Sequence, residues 1–121
     1  MPDLSLSSPA KRARKTATAI AKAIGYPKKK IVYDENMYHA GAWYLFKLVR
    51  NLNNENDTIM LFGHNPGFND FADMLLKKNP VYNIVTAGVY CIEFNVDKWQ
   101  KVQEGQGESV FYDYPKRYQD E

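Results

Sequence analysis

Residues 2–8, "PDLSLSS", alternate apolar and polar positions, the period of two expected of a strand with unlike faces. The period then lengthens. Within "SPAKRARKTATAIAKAIGYP", Ala13, Ala17, Ile20 and Ile24 recur at i, i+4, i+7 and i+11, which predicts one stripe of a helix. Ser8 is placed to act as its N-cap and Pro9 as its first residue, while Gly25, with Pro27 beyond, ends it. A basic turn, "PKKK", leads into "IVYDENMY", which has strand character, and then into "GAWYLFKLVRNL", whose apolar spacing suits a helix packed on a sheet. After the polar loop "NNENDT", the run "TIMLF" is almost wholly apolar, the habit of a strand covered on both faces of a parallel sheet. Residues 66–76, "PGFNDFADMLL", predict a helix with Phe68, Phe71, Leu75 and Leu76 inward. "GVYCIEFNV" predicts another strand, and "SVFYDYP" a last one at an edge, next to Pro115.

Strands alternating with helices point to an α/β fold with a mainly parallel sheet. The length of 121 residues suits a single domain spanning 1–121, and 45% apolar residues are enough for a modest core. A net charge of +2 is too mild to call for a nucleic acid or a membrane surface, so any charge argument must be local. The lone cysteine, Cys91, excludes an intrachain disulfide and reads as a buried, inert thiol. With no apolar run of membrane-spanning length and no signal-peptide pattern, the chain is expected to be cytoplasmic.

Chemistry gathers at two corners of the same kind. "DLSLSSPAKRAR" and "TIMLFGHNPGFN" each run from a strand through small or polar residues to a proline in the first helical turn. In a parallel sheet both corners lie at the carboxyl ends of their strands, the edge where open α/β sheets hold ligands. Both helices would aim free N–H groups and a positive dipole end at that edge, which favours an anion. At the first corner Lys11, Arg12, Arg14 and Lys15 crowd the first two turns of a helix, the wrong end for cations. Each exposed cation is expected to cost about 0.3–1 kcal/mol there, a penalty that a bound phosphate would reverse. Residues flanking Ala13 lie about 100° from it in opposite senses, so Arg12 and Arg14 point to different sides.

At the second corner His64, one of only two histidines, can donate a hydrogen bond to a phosphoryl oxygen or attack phosphorus. Asn65 can cap the following helix and offer its amide to a ligand, while Pro66 and Gly67 shape the turn. The other histidine, His39 in "MYHAGAW", has no evident partner in the pattern. Two separated histidines and one cysteine make no zinc pattern, and Asp34, Glu35, Asp70 and Asp73 do not form a cation loop, so no metal is expected. "GHNPG" is not a nucleotide-binding glycine loop, and no cofactor is expected either.

"SSPAKRARKTA" and "LFGHNPG", with "YDENMY" between them and "VYCIEF" after, resemble the SixA-type phosphohistidine phosphatases of the histidine phosphatase superfamily, which also holds the phosphoglycerate mutases. The likeness runs over most of the chain, in order and spacing. It implies a three-layer α/β sandwich and metal-free removal of phosphoryl groups through a phosphohistidine intermediate. It also implies that Arg12 binds the transferring phosphate and that His64 stabilises the phosphoryl group in flight. The family's nucleophile sits in an Arg-His-Gly or Arg-His-Ala motif upstream of the segment resembling "PDLSLSSP". Here His39 follows Tyr38 and His64 follows Gly63, so no nucleophile is matched. By that likeness the first strand, its loop and a helix, on the order of 30–40 residues, are missing from the front. Little or no turnover by this chain alone is expected, along with either self-association through the sheet edges left unpaired or poor stability. The general acid stays open among Asp34 and Glu35, and Thr86 could approach the same edge.

The expected partner is a phosphorylated protein or a small phosphate ester, with neither nucleic acid nor membrane. The alternative is a non-catalytic module of the same fold that binds a phosphorylated ligand. An unrelated reading, nucleic-acid binding through "KRARK" and "PKKK", would require strong salt dependence spread over several lysines.

Overall fold

The computed structural model describes residues 1–64, 67–76 and 89–113, the side chains of 89–91 and 111–113 excepted. Its elements are β1 (Leu4–Ser7), α1 (Lys11–Ile24), β2 (Val32–Tyr33), α2 (Ala42–Arg50), β3 (Ile59–Phe62), α3 (Gly67–Leu75), β4 (Val89–Glu93) and β5 (Glu108–Asp113). Single 3₁₀ turns at Lys28–Lys30, Glu35–Met37 and Trp99–Lys101 link them.

β1 is the centre of a parallel sheet of order β2-β1-β3, in register from Leu4 opposite Ile59 to Ser7 opposite Phe62. Alternation along these strands sorts side chains to two layers. Leu4, Leu6, Ile59 and Leu61 join the main core with Leu45 and Val49 of α2 and Phe71 and Leu75 of α3. Phe62 and Met60 meet Ala13, Ala17 and Ala21 of α1 in a second cluster with Tyr26 and Ile31. The chain is therefore a three-layer α/β sandwich, with α1 on one face of the parallel sheet and α2 and α3 on the other.

The pattern-based reading needs four corrections. Helix α1 begins at Lys11, capped by Ala10 with no side-chain bond, so Ser8 is not its N-cap and Pro9 lies outside it. Its buried ridge is Ala13, Ala17 and Ala21, while Ile24 is exposed. An i, i+4, i+8 row of alanines lets the helix backbone approach the sheet, and Ser5 and Ser7 are consequently buried rather than solvent-facing. Strand β3 is only half-buried except at Phe62, and among the described residues it pairs on one side alone, with β1. Finally, β4 and β5 form their own antiparallel pair, with an irregular register between Cys91 and Ile92.

That pair is nevertheless tied to the main core. Ile92, Phe94 and Val96 pack on it, and Val102 is fully buried. Gly107 N–H donates to Leu75 O at 2.6 Å. The Trp99 indole donates to Asn56 O at 2.6 Å, and the Arg50 guanidinium donates to Gln100 O at 2.8 Å. Pro66, Thr86 and Pro115, and with them the first residue predicted for α3, lie outside the described residues, as does the Cys91 side chain. Among the described residues no helix is long and apolar enough to cross a membrane.

Candidate active site

Parallel pairing brings the carboxyl ends of β1 and β3 to one edge, and Ser8 N–H continues the ladder by donating to Phe62 O at 2.9 Å. The two corners then meet through side chains. The Ser8 hydroxyl oxygen accepts from Ala10 N–H at 3.2 Å and is hydrogen-bonded to His64 Nε2 at 2.9 Å. Ser8 has no exposed surface and His64 is half-buried.

Beside this contact lies a cleft of about 550 Å³. Lys11 and Arg12 approach it from α1, Tyr38 and His39 from the segment before α2, and His64 and Asp70 from the β3–α3 corner. The Tyr38 ring joins the two imidazoles, 4.8 Å from His39 and 5.9 Å from His64 between centroids. The start of α3 is pressed against the loop carrying His39: a Cβ at Gly67 would collide with the Ala40 carbonyl oxygen. Only glycine allows this approach.

The charge pattern of the cleft follows from the helix ends. No acidic residue or side-chain cap compensates the N-terminus of α1, where Lys11 and Arg12 instead add positive charge. Helix α3 carries Asp70 in its first turn, the side its dipole favours. The cleft thus offers two cations, two imidazoles, one carboxylate and the N–H groups of an uncapped helix. Such a site can hold a small anion through charge-assisted hydrogen bonds.

The structure therefore places Arg12 and His64 on one cleft, and Asn65 lies outside the described residues. Arg14 turns away, its guanidinium 5.7 Å from the centre of the Tyr33 ring. Asp34 is engaged elsewhere: it accepts from Asn36 N–H at 2.9 Å and from the Tyr44 hydroxyl at 2.8 Å. Burial first, and then the bond to Asp34, push the Tyr44 phenol above its ordinary value. Neither Asp34 nor exposed Glu35 contributes to the cleft wall. The pattern-based reading passed over Ser8 as a site residue, along with Tyr38 and Asp70, and it gave His39 no partner. The signal for His39 was present, because it follows β2 and so falls on the same carboxyl edge of the sheet. Among the described residues no three His, Cys, Asp or Glu side chains gather to hold a metal ion.

The same arrangement, a parallel sheet sandwiched by helices, is found in solved structures of other proteins. One solved structure that shares it is a protein assigned as the phosphohistidine phosphatase SixA from Agrobacterium tumefaciens, with a TM-score of 0.77 and 24% identity, over 95% of this chain and 69% of that one. A second, assigned the same way, comes from Nakamurella multipartitia, with a TM-score of 0.76 and 16% identity, over 94% of this chain and 71% of that one. No protein-family model matches the chain, and no curated protein matches it significantly.

Proposed function

We propose that the cleft between α1 and the β3–α3 corner binds a phosphoryl group, and that the protein serves as a phosphohistidine phosphatase working through a phosphohistidine intermediate. The observation that carries this reading is the convergence of Arg12 and His64 on one cleft at the uncapped end of α1. The shared fold supports it, as do the names of the two solved structures. Phosphoryl transfer is chiefly positioning and neutralisation of charge on the equatorial oxygens. In this reading Arg12 grips two oxygens, His64 donates to a third, and Asn65 adds an amide. The ligand is a phosphorylated protein side chain or a small phosphate ester, met in the cytoplasm without metal or cofactor.

Neither histidine follows an arginine, so no residue of this chain is assigned as nucleophile. The alternative reading is a module of the same fold that binds a phosphorylated ligand without turning it over. Calorimetry with inorganic phosphate and vanadate tests what the two share. Arg12→Ala and His64→Ala should each weaken binding by about 10- to 100-fold, the loss of one charge-assisted hydrogen bond or two. Equal affinity in wild type and both variants would end both readings. Release of phosphate from a phosphohistidine peptide then separates them: release that is lost in both variants supports the enzyme and overturns the binding-only module.

A further inference from the structure

The Ser8–His64 contact constrains which ring nitrogen carries a proton. Ser8 has no exposed surface, so its hydroxyl proton cannot be given to bulk water. Its oxygen already accepts from Ala10 N–H at 3.2 Å, and the neighbouring Ser7 hydroxyl is engaged with the Ser8 backbone carbonyl, to which it donates at 2.8 Å. Among the described residues, the acceptor within reach of the Ser8 proton is His64 Nε2 at 2.9 Å. A ring nitrogen that accepts a hydrogen bond has no proton of its own, and a neutral imidazole must then carry its proton on the other nitrogen. The backbone adds a second restraint, since Phe68 N–H donates to His64 O at 3.0 Å and anchors the residue to the first turn of α3.

We infer that Ser8 is a positioning residue: it fixes neutral His64 as the Nδ1–H tautomer and leaves Nδ1–H as the donor that a ligand in the cleft meets. The ligand clause rests on the phosphate-binding reading above, while the tautomer clause stands on the hydrogen-bond pattern alone. The arrangement has a chemical use. A neutral imidazole in the opposite tautomer would turn a lone pair toward an anion, whereas this one offers an N–H without first taking up a proton. The second corner of the cleft is thereby set for an anion by a residue of the first.

Long-range proton–nitrogen correlation spectra of the ligand-free protein test it, recorded at about pH 9, well above the ordinary imidazole range. The His64 signals are identified by their loss in His64→Gln. Wild type should show the proton on Nδ1, and Ser8→Ala should shift His64 toward the Nε2–H form that free histidine prefers. A proton on Nε2 in wild type would overturn the inference without any variant, and so would an identical tautomer in Ser8→Ala. Inorganic phosphate affinity, measured on the same two proteins, should fall about tenfold in Ser8→Ala. Unchanged affinity beside a changed tautomer would overturn the donor role. A wild type that binds no phosphate yet shows the Nδ1–H tautomer would remove the proposed function and leave the positioning intact.

Discussion

Asp34 and His39 both follow β2, yet of the two only the histidine borders the cleft. The carboxylate is occupied by the Asn36 N–H and the Tyr44 hydroxyl, and so joins the 3₁₀ turn to α2. Tyr44→Phe should therefore cost about 1 kcal/mol in urea unfolding, since it leaves a half-buried acceptor short of one partner. Burial of the phenol, and after it the same bond, give an alkaline signature. Because the folded-state phenol titrates above its ordinary value, its contribution is present below that value and lost as pH rises through the folded one. Stability should fall at strongly alkaline pH, and Tyr44→Phe should flatten that fall. At this scale the sequence was legible where chemistry follows from spacing, as with Arg12 after β1 and His64 after β3. The Ser8–His64 bond was not legible, because it joins residues 56 positions apart and no local pattern distinguishes a capping hydroxyl from one that faces another strand's loop.

Among elements, α1, α2, β3 and α3 all fall where apolar periodicity put them, with ends displaced by a few residues. What periodicity could not supply was the neighbour on each face. Ala21 and Ile24 fit similar helical stripes, and the choice between them depended on how closely the sheet was approached. β3 read as covered on both faces, although burial depends on strand order, which composition does not reveal. The start of α3 yields a direct prediction. Gly67→Ala places a methyl group into the Ala40 carbonyl, and the loop carrying His39 or the helix must move. About 1–3 kcal/mol of stability should be lost, read as a lower melting temperature. Phosphate affinity should drop with it if the cleft is the binding site, because the His39 and His64 walls would part.

For the whole molecule, the layers meet at side chains such as Leu45 of α2, which has no exposed surface and lies in the core shared with α3 and the sheet. Leu45→Ala should cost about 2–5 kcal/mol in denaturant unfolding. The outer side of β3 and the separate β4–β5 pair bear on association. β3 is apolar, half-buried and paired on one side among the described residues. Sedimentation at rising concentration should show self-association through such edges, and a monomer at every concentration would argue against it.

The anchoring of Trp99 gives this architecture its own optical probe. The protein has two tryptophans, and Trp43 is 66% exposed, so its emission changes little when the chain opens. Trp99 instead packs against the core, with its indole N–H held by Asn56 O. A red shift of the fluorescence on denaturation therefore reports the release of the β4–β5 pair from the α2–β3 loop. Set beside circular dichroism, which follows the helices, the same titration tells whether the two sheets melt as one cooperative unit or come apart in sequence.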